Sequence, residues 1–172
     1  MSLGVSCELN NNTIKHNEAI SDNNALGGGF YTYAAEDSTT IVKNNIINNN
    51  LCQGVQQVRG SGFMAKQTAN LTVVANDFSE NTMSSTYGSS IGGGLFINRP
   101  VNSVTASRNI IKNNLASGTS YGGGCSIYFS DSVFVLFESN HVENNSAEHG
   151  GGLYLRNAYN ATLYNNIIRG NT

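Results

Sequence analysis

The chain has 172 residues, 12% of them charged, and a formal net charge of −2. That length suits a single domain with its own core, and the missing basic excess argues against a nucleic-acid binder. No apolar run reaches the roughly 18 residues needed for a membrane-spanning helix, so this segment is not expected to insert into a bilayer. Asparagine is the outlier, with 27 copies beside 19 glycines and one proline, Pro100. Both abundant residues are poor in helix interiors and good in turns, because they tolerate left-handed backbone angles.

In chain order, the first landmark is Asn12-Thr13-Ile14-Lys15-His16-Asn17, an Asn-x-apolar-x-x-Asn hexapeptide. A variable stretch from Glu18 to Leu26 leads to Gly27-Gly28-Gly29, which opens a short alternating segment. The alternation predicts a strand with Phe30 and Thr32 inward and Tyr31 and Tyr33 outward. A second strand, with Thr40 and Val42 inward, runs up to the next hexapeptide, Asn45 to Asn50. The second unit repeats the plan with Gly60-Ser61-Gly62, inward Phe63 and Ala65, inward Leu71 and Val73, and then Asn76, Phe78 and Asn81. In the third, Gly92-Gly93-Gly94 precedes inward Leu95 and Ile97, with Phe96 outward, and then inward Val104 and Ala106 before Asn109, Ile111 and Asn114.

The fourth unit carries Gly122-Gly123-Gly124, inward Cys125 and Ile127, outward Tyr128, inward Val135 and Phe137, and Asn140, Val142 and Asn145. The last has Gly150-Gly151-Gly152, inward Leu153 and Leu155, outward Tyr154 and Arg156, inward Ala161 and Leu163, and Asn166, Ile168 and Asn171. Successive first asparagines are 33, 31, 33, 31 and 26 residues apart. The stretches Leu51 to Arg59, Thr82 to Ile91, Leu115 to Tyr121 and Ser146 to His149 vary most and are expected to be loops.

Strands this short cannot bury a face alone, whereas stacked copies bury all their faces together. Neighbouring coils would lie about 4.8 Å apart, so like residues stack on like. Asn17, Asn50, Asn81, Asn114 and Asn145 are then expected to form an amide ladder, hydrogen-bonded up and down the column. A β-propeller is the rival, but its blades need about 40 or more residues. The expected fold is therefore all-β: one single-stranded right-handed parallel β-helix of about five to six coils across residues 1–172.

The pairing of apolar-x-x-Asn with Gly-Gly-small-apolar resembles the repeats of chlamydial polymorphic outer-membrane proteins and related bacterial surface proteins. The closest copy runs from Val142-Glu143-Asn144-Asn145 to Gly150-Gly151-Gly152-Leu153, and Phe78-Ser79-Glu80-Asn81 spells the other half. The resemblance covers nearly the whole chain. It implies a right-handed parallel β-helix of the pectin-lyase-like group and an extracellular or cell-surface location. This chain has Gly where the family's third repeat position is usually Ala.

Five aromatic rings fall on the outward stripe after the glycines, at Tyr31, Tyr33, Phe96, Tyr128 and Tyr154, with Arg156 at its end. Flat rings spaced by coil steps suit stacking on a polysaccharide or on a host or cell-surface protein. The alternative is a polysaccharide lyase or glycoside hydrolase, which needs converging carboxylates. Asp22, Asp37, Asp77 and Asp131 fall at scattered phases, so no catalytic set is assigned. His16, His141 and His149 lack paired ligand spacing, and Cys7, Cys52 and Cys125 are odd in number. No metal and no cofactor are expected. The segment is expected to be part of a longer solenoid, or to associate end to end through exposed strand edges.

Overall fold

The computed structural model describes residues 6–34, 37–129, 132–157 and 159–172. Every strand pairing among them is parallel and joins one coil to the next, so the chain winds as a solenoid with four sheets along its sides. Sheet I holds Ser6–Asn10, Thr39–Lys43, Asn70–Val74, Ser103–Ser107, Phe134–Glu138 and Ala161–Tyr164. Sheet II is built from the hexapeptide centres, from Thr13–Lys15 through Asp77–Ser79 to Ile167–Arg169. Sheet III contains Glu18–Ser21, Ala25–Leu26, Leu51–Gly54, Val58–Arg59, Thr82–Ile91 and Leu115–Tyr121. Sheet IV holds the post-glycine strands Phe30–Tyr33, Phe63–Lys66, Leu95–Asn98, Cys125–Tyr128 and Leu153–Arg156.

Register follows the repeat: Ile14 pairs with Ile47, Ile47 with Phe78, Phe78 with Ile111, and Ile111 with Val142. The inward positions of sheets I, II and IV form one core that includes Phe63, Phe78, Leu95, Ile97, Ile111 and Phe137. Leu163 was expected inward but is 45% exposed, because its coil has a described neighbour on one side only.

The amide ladder exists, and it is double. Asn50 donates from its backbone and from Nδ2 to Asn81 Oδ1, and Asn81 repeats this on Asn114, and Asn114 on Asn145. The first asparagines do the same from Asn12 through Asn45, Asn76, Asn109 and Asn140 to Asn166. The remaining Nδ2 hydrogen reaches a backbone carbonyl of the preceding coil, as in Asn81 to Ile47. Both ladders are buried from Asn45 to Asn140 and from Asn50 to Asn145, so in those coils each amide substitutes for water at a sharp corner. The left-handed angle is not on the ladder asparagines themselves. It sits one residue earlier, for instance at Asn44, Ala75 and Arg108 (φ 54–56°) and at Asn49, Glu80 and Asn113 (φ 54–58°). That one-residue offset turns the chain while leaving the ladder side chain aimed inward.

The glycine triplets divide their labour. Gly60 has φ 61°, and a Cβ there would lie 2.6 Å from Met64 Cβ. Gly62 faces the ladder, where a Cβ would meet Gly94 O at 2.4 Å and Asn81 Nδ2 at 2.9 Å. Ser61 is tolerated between them because its hydroxyl reaches Asn50 O at 2.7 Å and Thr82 O at 2.6 Å. The two sequence motifs are thus one packing unit.

Candidate functional site

Four of the five stretches between the second asparagine and the glycines carry strands of sheet III rather than loops, and the stretch Ser146 to His149 makes only single bridges to Leu115 and Tyr121. Thr82–Ile91 pairs with Leu51–Gly54, Val58–Arg59 and Leu115–Tyr121. Its inward side is a small core of Ala25, Cys52, Val58, Met83 and Ala116. The variable face expected from these stretches is therefore largely ordered sheet.

Between sheets III and IV the left-handed glycine makes the corner concave. A Cβ on Gly27, Gly60 or Gly92 would strike Cβ of Tyr31, Met64 or Phe96, the outward residue four positions on. In the third and fourth coils the residue before the glycine is folded over the outer side of sheet IV. Ile91 packs with Met64 and Phe96, flanked by Tyr121 and Tyr128. Ser126 Oγ donates to Tyr121 O at 2.9 Å across the same corner. Phe96 is consequently fully buried, and its place on an exposed stripe is overturned: around Met64 and Phe96 the outer side of sheet IV meets a second apolar contact rather than water.

The other stripe residues stay accessible. Tyr31 and Tyr33 are exposed, Tyr128 and Tyr154 half-buried, and Arg156 exposed. Tyr128 and Tyr154 lie 6.0 Å apart, Tyr154 and Tyr121 5.1 Å apart, and His149 stacks on Tyr121 at 5.0 Å. Phe96 supports this group from below, edge-on to Tyr128 at 5.1 Å. Burial raises the Tyr128 and Tyr31 phenols, so both stay protonated donors at neutral pH.

Beside the rings, where sheet IV turns towards sheet I, lies a cleft of about 360 Å³. It is lined by Arg59, Lys66, Arg99 and Arg156, with Asn98 and Tyr128 among the uncharged residues and no carboxylate among the described residues. Lys66 lies over the Tyr33 ring at 5.1 Å and Arg156 over Tyr128 at 5.3 Å. Arg59 is partly buried; desolvation pulls its guanidinium below the usual value, and the Arg99 charge pushes the same way. Arg99 itself occupies a left-handed corner at φ 52°, the position held by Gln67 and Asn157 in other coils.

Of the residues that line this cleft, the sequence pattern singles out Tyr128 and Arg156 but not Lys66, Arg59 or Arg99; the last two lie furthest from the expected stripe. One ends a sheet III strand and the other follows a sheet IV strand, so only the winding brings them together. The faint signal was an arginine immediately before a glycine triplet where other coils carry Leu26, Ile91 and Tyr121.

Carboxylates gather elsewhere. On sheet II, Glu143 accepts from Arg169 Nε at 2.7 Å and lies 3.2 Å from Lys112 Nζ and 3.0 Å from His141 Nε2. These contacts, Lys112 first, hold its carboxyl below the ordinary range. Asp131 lies outside the described residues. No grouping of three or more metal-ligating side chains occurs among the described residues. Burial pushes the Cys52 thiol up to about 11 and the Cys125 thiol higher still, so both pack as small apolar groups.

A family model described as the right-handed beta helix region matches residues 55–172, more than half of the chain. No curated protein and no solved structure matches it.

Proposed function

Since the chain belongs to the right-handed β-helix family, we propose that it is an extracellular or surface-displayed scaffold that holds a carbohydrate chain against sheet IV. The observation that carries this reading is the ring belt of Tyr121, Tyr128 and Tyr154, with centroids 5.1 and 6.0 Å apart, bordering an open cleft. Tyrosine combines a flat apolar surface with a hydroxyl, which suits one face of a sugar ring and its edge hydroxyls. The rings stand on a rigid parallel sheet, so little entropy is lost in ordering them on binding. The likeness of the repeats to those of polymorphic outer-membrane proteins supports the location.

Retention on a panel of immobilised oligosaccharides tests the reading. Tyr128→Ala and Tyr154→Ala each weaken retention of the bound glycan at least fivefold. Tyr87→Ala, at an 83% exposed residue on sheet III, leaves it unchanged. If both sheet IV variants bind every retained glycan like the parent chain, the proposal fails. Retention of a cell-surface protein alone would replace the glycan with a protein partner.

A further inference from the structure

We infer that the ligand of this face is a multiply sulfated oligosaccharide, its sulfate groups seated between Arg59, Lys66, Arg99 and Arg156; this rests on the glycan-binding reading above. The first argument is charge distribution. Four of the chain's nine Lys and Arg residues line one cleft, in a chain with eleven acidic residues and a net charge of −2. None of the four has a carboxylate within 4 Å among the described residues, although Lys112 and Arg169 both share Glu143. Like charges gathered in one cleft, with no carboxylate of the described residues among them, repel one another until an anion enters.

A second argument is unmet bonding. Arg59 Nε is buried with no hydrogen-bond partner, and the guanidinium's other contact is to the neutral side chain of Gln57. A buried donor without an acceptor is costly unless a ligand supplies one. Arg59 and Arg99 also repel across the cleft, a penalty that an oxyanion between them would reverse. A guanidinium fork can set two parallel N–H donors on two oxygens of one tetrahedral sulfate, as it does on phosphate. The cation–π contacts of Lys66 and Arg156 steer their heads without cancelling their charge.

Charge density selects among anionic glycans. Lys66, Asn98, Tyr128 and Arg156 occupy one register column of sheet IV, so Lys66 and Arg156 stand about 14 Å apart at 4.8 Å per step. A cleft of about 360 Å³ is at the small end for ligand sites and holds one or two sugar units. A polyuronate would bring one charge per unit to four cations, whereas a multiply sulfated sugar brings two or more. A nucleic acid would match the charge but meets no wider basic surface on a chain of net −2.

Calorimetric titration of the full chain tests this, using a sulfated glucosaminoglycan oligosaccharide, its desulfated homologue, an oligogalacturonate of equal length and a single-stranded oligonucleotide. The sulfated ligand binds at least tenfold more tightly than any of the others, and its affinity falls as salt rises. Arg59→Gln and Arg99→Gln each cost it about tenfold, and Arg99→Lys restores part of the loss. Arg99→Asn provides the folding control, because Asn157 occupies the equivalent corner; it melts no lower than the parent chain yet binds the sulfated ligand tenfold more weakly. Equal binding of the desulfated homologue, sensitive to Tyr128→Ala, overturns the sulfate inference and leaves the glycan reading standing. Tighter binding of the oligogalacturonate or the oligonucleotide also overturns it. Binding of no oligosaccharide at all overturns both.

Discussion

Replacing Asn81 by alanine probes the ladder where it is most enclosed. Asn81 is fully buried, and its side chain makes four hydrogen bonds. Nδ2 donates to Ile47 O at 2.9 Å and to Asn114 Oδ1 at 3.0 Å. Its Oδ1 accepts from Asn50 N at 3.1 Å and from Asn50 Nδ2 at 3.0 Å. At about 1 kcal/mol net for each bond, Asn81→Ala costs about 4 kcal/mol. The orphaned Asn50 N–H and Ile47 carbonyl have no route to water, which keeps the cost from relaxing. For a chain of this length that is a fall of roughly 10 °C in melting temperature. Asn12→Ala is the internal comparison: its exposed side chain makes only two bonds, to Asn10 O and Asn45 Oδ1, and about 1 kcal/mol is expected. Asn81→Asp sharpens the test. It keeps the acceptor but turns the donor into an oxygen facing Ile47 O and Asn114 Oδ1. Burial and those acceptors raise the new carboxyl above its unfolded value of about 4. The folded state then binds the proton more strongly, so the variant gains stability as pH falls from neutral towards that value. Urea melts followed by far-UV circular dichroism read all three. An Asn81→Ala loss no larger than that of Asn12→Ala would refute the ladder as a source of stability.

Phe96→Ala removes a fully buried ring and is expected to cost about 3–5 kcal/mol of stability, read by the same urea melts. Ala75 has φ 54° without the tolerance of asparagine or glycine, while its counterpart in the previous coil is Asn44. Ala75→Asn should therefore raise the melting temperature by a few degrees, through about 1 kcal/mol of relieved strain; no rise would mean that the corner is unstrained. Glu143, held low by Lys112 and Arg169, contributes stability that is present above the unfolded carboxylate value and lost as pH falls through its depressed one. Glu143→Gln should lower the melting temperature slightly at neutral pH and converge with the parent chain on the acid side, flattening a melting-temperature profile measured against pH.

The coils were legible because their inside columns repeat in phase. Asn50, Asn81 and Asn114 can stack only if the residues between them complete one turn, and the glycine triplets at matching offsets say the same. Sheet III escaped notice because much of its inward side is small or polar. Thr82–Ile91 buries Met83 but also Ser85 and Ser90, so apolar alternation is faint and the pairing with neighbouring coils declares the strand. Phe96 was misplaced by a rule that assumes water outside a strand. The concave glycine corner breaks that assumption, and the apolar residues before the glycines, Ile91 and Tyr121, were the available hint. The cation cluster escaped for a different reason, with Arg156 alone on the expected stripe: Arg59, Lys66, Arg99 and Arg156 come from three coils and three repeat phases, so no periodic search gathers them.

That separation also links the ladder to the cleft. The inner columns dictate axial register, which leaves outer corners free to differ from coil to coil without unwinding the stack. A linear ligand reading several coils then depends on register it never touches. Gly62 begins the turn into Phe63–Lys66, the strand that carries Lys66, and the space its Cβ would fill is taken by Gly94 O and the Asn81 amide. Losing the Asn81 amide opens a void beneath that strand while leaving Arg99 and Arg156 on coils with intact ladder partners. Below its unfolding transition, Asn81→Ala should thus weaken binding of an oligosaccharide that spans Lys66 and Arg156 several-fold, although no ligand atom approaches residue 81. Unchanged affinity at full folding would mean that the sheet IV strands hold their positions without the ladder, and that the ladder serves winding alone.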